Sequence, residues 1–178
     1  HGNALAYSLK NYELSSRDRV VSTALPGYAG EHETSYETDV LKDGSFLTIL
    51  PIYKWGDGHV ERTGWYSSDE LVVEKTVDAD GRVTKVCKDH SGRIVFTSVG
   101  NDGDTHYIYD LYDRLRAVKG SGIELTDTLN MWRYDYDSLG RLSSKGIPGS
   151  VREYYTYDEE DRVVSILRDG VLKEMEYD

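Results

Sequence analysis

The side chains able to do chemistry in this chain do not converge on a recognised catalytic pattern. The histidines His1, His32, His59, His90 and His106 are scattered, with no HExxH and no His-x-His pair to hold a metal. There is no G-x-S-x-G elbow and no phosphate-binding glycine loop. Cys87 is alone, in the strand-like VCKD, so no internal disulfide forms, and it reads as a packed side chain rather than a nucleophile. Acidic pairs occur at Glu31/Glu33, Asp69/Glu70 and Glu159/Glu160. A glycosidase needs two carboxylates about 5–10 Å apart across a cleft, and sequence proximity cannot select such a pair among 32 acids. Asp78–Asp80 and Asn101–Asp104 offer oxygens of the kind calcium takes, but neither follows EF-hand spacing. No metal, cofactor or catalytic residue is therefore assigned. The stronger candidates for binding are the amphipathic rings of Trp55, Trp65, Tyr66 and Trp132, which suit stacking on sugars or partner surfaces. Tyr134 belongs with them, and Trp65-Tyr66 comes first, because adjacent strand residues face opposite sides and one of the two must point outward.

The elements that would carry these residues are set by a repeat. Trp132–Leu142 (WRYDYDSLGRL) holds a kernel of Tyr-Asp, two residues, Gly, Arg and an apolar residue. The kernel returns at Tyr109–Leu115 (YDLYDRL) and Tyr157–Val163 (YDEEDRV), and more weakly at Val77–Val83 (VDADGRV) and Lys88–Ile94 (KDHSGRI). Leu14–Val20 keeps only the Asp-Arg-Val end, and the closing Tyr177-Asp178 reads as the start of another copy in a longer protein. Arg82, Arg93, Arg114, Arg141 and Arg162 are spaced by 11, 21, 27 and 21 residues. Such self-similarity marks repeated supersecondary units.

Each kernel reads as a β-hairpin turn. The Asp bonds its side chain to backbone two residues on, and the Gly three residues later takes positive φ. Asp113 and Asp161 stand in that Gly position and tolerate the left-handed region better than most residues. Tyr109, Asp110 and Arg114, then Tyr136, Asp137, Gly140 and Arg141, then Tyr157, Asp158 and Arg162 are thus assigned as scaffold. The Arg is expected over the Tyr ring across its own strand pair, a cation–π contact of about 0.5–1 kcal/mol.

Short strands with turns every 8–12 residues predict an all-β fold of consecutive antiparallel hairpins, forming a twisted, curved ribbon or partial β-spiral. Residues 1–70 read as an irregular β region leading into the repeats and 71–178 as the hairpin region, in one continuous structure. His32–Val40 reads as an edge strand, Pro51 as a break that divides the apolar run Phe46–Trp55 or marks an edge or bulge, and Asp57-Gly58 and Asp169-Gly170 as turns. Turns are also expected at Ser16–Arg19, Pro26-Gly27 and Asp43-Gly44. Ile123–Asn130 is the one segment that reads as either a short helix or a lengthened loop.

The 178 residues suffice for a real core, burying about 70% of the unfolded surface. With 38% hydrophobic residues, and fifteen Tyr against two Phe, that core is expected to be thin and rich in tyrosine. The net charge of −11 opposes binding to nucleic acid and to anionic lipid. No apolar run approaches the ~18 residues that span a bilayer, and residues 1–10 show no signal-peptide pattern.

YDLYDRL, YDYDSLGRL and YDEEDRV, with the weaker VDADGRV and KDHSGRI, resemble the Rhs/YD-repeat family. KGIPGSVREYYTYDEEDRVV resembles one version of the pattern, in which a Pro-Gly loop precedes a tyrosine strand and the YD turn, familiar from long Rhs-repeat proteins of Bacteroides-like bacteria. The likeness is strong over 71–178 and weaker over 1–70. It implies a ribbon of β-hairpins from a secreted or surface-exposed bacterial protein. In some members the ribbon spirals into a shell around a toxic domain; in others it mediates contact or carbohydrate binding. The proline-rich, self-cleaving core segment of toxin-bearing members is not seen in this sequence.

The expected function is a non-enzymatic module that presents a contact surface to glycans or proteins. The alternatives are a segment of a toxin-encapsulating shell and an enzyme acting on polysaccharide through carboxylates in an aromatic groove. Open sheet edges also predict self-association.

Overall fold

In the computed structural model of the chain, residues 8–12, 19–24, 33–40, 50–67 and 69–177 are described. Over these residues the protein is all-β. The strands are β1 (Leu9–Tyr12), β2 (Val20–Ala24), β3 (Glu33–Val40), β4 (Pro51–Gly56), β5 (His59–Trp65), β6 (Val72–Val77), β7 (Val83–Lys88) and β8 (Ile94–Val99). They continue as β9 (Asp104–Tyr109), β10 (Leu115–Gly120), β11 (Trp132–Tyr136), β12 (Leu142–Gly146), β13 (Glu153–Tyr157), β14 (Val163–Arg168) and β15 (Val171–Glu174). The expected turns at Pro26-Gly27 and Asp43-Gly44, and all but Arg19 of the turn at Ser16–Arg19, lie outside the described residues.

The chain divides into two compact units, residues 1–50 with 65–104, and residues 51–64 with 105–178. The first is an antiparallel sheet in the order β1-β2-β3-β6-β7-β8. Within the segment His32–Val40, expected at an edge, Glu33–Val40 forms a strand paired on both sides. Ser35 lies opposite Ser22 of β2 and also opposite Val77 of β6. Its polar alternation is therefore compatible with an interior position, because the ladder uses only backbone groups. Cys87 is fully buried between Val73 and Phe96 on the neighbouring strands.

The second unit runs β9-β10-β11-β12-β13-β14-β15, each strand antiparallel to the next. Strand β4 pairs with β5, and touches β9 through one parallel bridge, Lys54 to Tyr109. Pro51 opens β4, the strand position where a missing N–H costs least. Asp57-Gly58 and Asp169-Gly170 have φ of 46° and 82°, and 49° and 73°, the paired positive angles of a two-residue hairpin turn. The core is Val60, Ile108, Ala117 and Met131, with Tyr53, Trp55, Ile123 and Leu125 packed against it. It is thin, as expected, but its fully buried members are aliphatic. Tyrosine serves at its margin, where the ring packs and the hydroxyl finds a partner.

The helix considered for Ile123–Asn130 does not form. The segment is a lengthened loop with one 3-10 turn at Thr128–Asn130, and Asp127 makes no side-chain capping bond. Ile123 and Leu125 face the core while Leu129 is exposed, an arrangement that one short turn satisfies.

All five kernels close in the same way. Gly81, Gly92, Asp113, Gly140 and Asp161, each three residues after the kernel Asp, have φ of 78°, 77°, 62°, 83° and 63°. A Cβ added at Gly140 meets nothing within 4 Å, so substitution there meets only the backbone penalty. Gly140→Ala is expected to lower stability by about 1 kcal/mol, and Gly140→Asp by less. Urea unfolding of the two variants measures the difference; equal losses would contradict the left-handed assignment.

Candidate functional site

The kernel side chains are joined into a repeated clamp. At Asp137, Oδ1 accepts the backbone N–H groups of Leu139 and Arg141, both at 2.9 Å, and Oδ2 accepts Arg141 Nε at 2.8 Å. The backbone closes beneath it, with Asp137 N donating to Arg141 O at 2.9 Å and Gly140 N to Asp137 O at 3.0 Å. Asp110 repeats this with Tyr112 N at 2.9 Å, Arg114 N at 3.0 Å and Arg114 Nε at 2.9 Å. Asp158 does so with Glu160 N at 3.0 Å, Arg162 N at 2.8 Å and Arg162 Nε at 2.7 Å. The weaker kernel at Asp89 makes the full set with Ser91 and Arg93. At Asp78 the two backbone bonds form, but the Arg82 guanidinium turns to Asp102. The carboxylates once considered for calcium are thus engaged in the turn or with arginine at Asp78 and Asp102.

Successive clamps interlock. The Tyr136 hydroxyl donates to Leu115 O at 2.8 Å, Tyr157 to Leu142 O at 2.7 Å and Tyr177 to Val163 O at 2.8 Å. Each acceptor directly follows the kernel arginine of the preceding copy. It also opens a β-bulge, where Arg116, Ser143 and Val164 are the extra residues. The same arginines cover the same rings. The Arg114 guanidinium carbon lies 4.9 Å from the centre of Tyr136, Arg141 4.6 Å from Tyr157, and Arg162 4.9 Å from Tyr177. The expected contact across the same strand pair is therefore corrected for Arg141 and Arg162. The guanidinium is drawn forward by the Asp that holds its Nε and reaches the tyrosine of the next copy.

The electrostatics match. Burial works against the Asp110 carboxylate, but the Arg114 side chain and the backbone N–H groups outweigh it and hold its pKa below the usual value. Asp137 is held down chiefly by Arg141, and Asp158, against burial, by the backbone and side chain of Arg162. Burial raises the phenols of Tyr136 and Tyr157, so both remain protonated donors. The Cys87 thiol is pushed up to about 12 by burial, with Lys85 opposing, which keeps it a thiol at neutral pH.

The candidate aromatics are divided between the two units, and within the second unit Trp55 and Trp132 do not share a platform. Trp65 is 52% exposed at the end of β5, and Tyr66 is half-buried, with its N–H bonded to Leu50 O at 2.9 Å. In the second unit, Trp132 and Arg133 are adjacent on β11 and so face opposite sides. Trp132 lies under Lys145 Nζ at 5.1 Å, whereas Trp55 lies against Arg116 at 5.0 Å and Arg133 at 5.5 Å. Trp55 therefore belongs to a basic cluster. Arg116 bonds Asp135 Oδ1 at 2.8 Å, and Asp135 Oδ2 accepts Ser144 Oγ at 2.9 Å and an Arg152 guanidinium N–H. Arg133 Nε is buried without a hydrogen bond, as is Arg116 Nε. Burial, with the Arg152 charge adding to it, pulls the Arg133 pKa below its usual range. Sequence reading missed this cluster, since Arg116, Arg133, Asp135 and Arg152 stand outside the kernel and meet only through strand pairing. Among the described residues no His, Cys, Asp and Glu side chains gather as a metal ion requires.

Tyr157→Phe, which removes only the bond to Leu142 O, is expected to cost about 1 kcal/mol by chemical denaturation. Tyr154→Phe, on a half-exposed ring, is the near-neutral comparison. An unfolded Asp titrates near 3.9, above its folded value in the three clamps, so the unfolded chain takes up protons first as pH falls. The clamp contribution is complete well above that pH and is lost as pH drops through the folded values. Urea midpoints at pH 7 and pH 3 should differ, and by less in Asp137→Asn.

No protein-family model matches the chain, and no curated protein matches it in sequence. Among solved structures it is similar to a chain in the crystal structure of TcdB2-TccC3-Cdc42, at 16% identity and a TM-score of 0.37. The match covers 89% of this chain and 12% of that one, so this chain spans about one eighth of its length.

Proposed function

We propose that the chain is a non-enzymatic structural module of a larger secreted or surface bacterial protein, an Rhs/YD-repeat-like run of hairpins that presents a contact surface. The observation that carries this reading is the interlock. The aspartate and arginine of every full copy, with Tyr136, Tyr157 and Tyr177, are bound to one another and to backbone, and are thereby committed to joining one hairpin to the next. A residue set repeated for catalysis would leave a carboxylate or hydroxyl open toward substrate. Here Asp110, Asp137 and Asp158 each bind their own turn and arginine. The faces beside the clamps remain for contact with glycans or proteins, and the exposed Val171 and Leu172 of β15 offer a strand edge for self-association.

Titration with a panel of extracellular polysaccharides, read by tryptophan fluorescence and by release of reducing ends, tests the reading. A saturable fluorescence change without reducing ends is the expected result for a glycan contact, and silence in both directs the search to protein partners. Release of reducing ends that disappears on substitution of one Asp or Glu would replace the module with an enzyme.

A further inference from the structure

We propose that the groove lined by Leu129, Met131, Arg133, Ile147, Arg152 and Tyr154 binds a peptide through an acidic side chain flanked by an apolar one. It rests on the reading of the chain as a contact-presenting module and names the chemistry of one partner.

The groove has a volume of about 410 Å³ and lies wholly within the second unit. Arg116, Arg133 and Arg152 surround Asp135, three positive charges to one negative, or 3 − 1 = +2. Asp110 lies 3.9 Å from Arg116 but is already held by Arg114 at 2.8 Å, so it does not cancel the excess. This excess occurs in a chain whose net charge is −11. Arg152 has its partners in Asp135 and Ser144. Arg133 makes no hydrogen bond or ion pair among the described residues and is attracted to Asp135 only at longer range: its guanidinium lies against Trp55, its Nε is buried and unbonded, and it lines the groove. A half-buried guanidinium without an anion is costly to keep. Its planar fork matches a carboxylate.

The walls select among carboxylate carriers. Leu129 is 79% exposed and Val151 42%, so the rim beside the arginines is aliphatic, and Tyr154 supplies its only aromatic ring. Aliphatic walls suit the side chain next to an acidic residue in an extended peptide. A sugar acid would call for flat rings on which to stack, and a polyanion would meet the long-range repulsion of the acidic chain.

The test is an NMR titration of the whole chain, following the Trp55 indole and Arg133 Nε–H resonances. The probes are acetyl-Leu-Glu-Leu-amide, its Gln counterpart, tri-galacturonate and inorganic phosphate. The acidic peptide should produce a saturable shift, with the Gln peptide at least about tenfold weaker. Arg133→Gln should abolish the shift and lower the unfolding midpoint by no more than the loss of the Trp55 contact, since the arginine has no bonded anion to lose; Arg133→Lys should restore part of the binding. Equal response to both peptides, preference for tri-galacturonate or phosphate, or no response at all overturns the proposal. So does a concentration-dependent shift without peptide that Arg133→Gln removes, since the occupant would then be a second copy of this chain. Such failures leave the module reading intact unless reducing-end release also appears in the polysaccharide panel.

Discussion

The structure depends on one carboxylate placed four residues before an arginine. A five-residue excursion between strands leaves backbone N–H groups pointing inward with nothing to bond. The kernel Asp accepts two of them with one oxygen, so the turn is closed by a side chain instead of by packing. Its second oxygen then holds the arginine, whose direction is fixed before any tertiary contact forms. This hierarchy suits a chain with few large apolar residues: local bonds set the hairpin, and a thin aliphatic core of Val60, Ile108, Ala117 and Met131 has less to determine. Asp78 marks the limit of the rule. Its turn closes in the same way while Arg82 turns elsewhere, so the backbone half of the device works without the arginine half.

Joining one hairpin to the next is a separate problem, and the bulge supplies the solution. The extra residue that follows the arginine in each of the three full kernels disrupts the ladder and leaves a carbonyl at the strand start in need of a donor. The tyrosine of the following copy fills that need and places its ring under the arginine. Each copy therefore completes its predecessor, a nearest-neighbour coupling of the kind expected in repeat proteins. Tyr177 shows that the coupling needs only the tyrosine. It occupies the position against Arg162 and Val163 although it stands after the last hairpin rather than within one.

The kernel was legible in the sequence because it is local. An Asp, a left-handed residue and an Arg within five positions constrain one another wherever they sit, so the turn, its positive φ and the strand boundaries follow from residue types alone. The partner of the arginine was not legible, since Tyr136 and Tyr157 are both aromatic and both near Arg141, and only the pairing of β12 with β13 brings the second ring under the guanidinium. The same applies to β3, whose Thr and Tyr alternation marks a strand but carries no record of how many neighbours it has. The loop at 123–130 escaped for another reason: Ile123 and Leu125 answer to the core beneath them, a tertiary demand that outweighs the weak helical preference of so short a segment.

Binding capacity in such a protein is then best sought where the repeat is broken. Within the clamps every charge has a partner by construction, and a ligand would have to compete with a bond the fold requires. Arg133 lies outside that scheme. It stands on β11 opposite Gly146, whose bare backbone lies against the Arg133 Cβ and the Arg152 Nε, and Arg152 already uses the available aspartate. A hairpin built only for stability would place an apolar residue there, since replacing an unpaired half-buried charge with a packed side chain removes a desolvation cost. The retained arginine, the short β12–β13 pairing and the longer loop at 123–130 all fall on one side of the same hairpin. The departure from regularity that made this stretch hard to read in sequence is what gives it a groove.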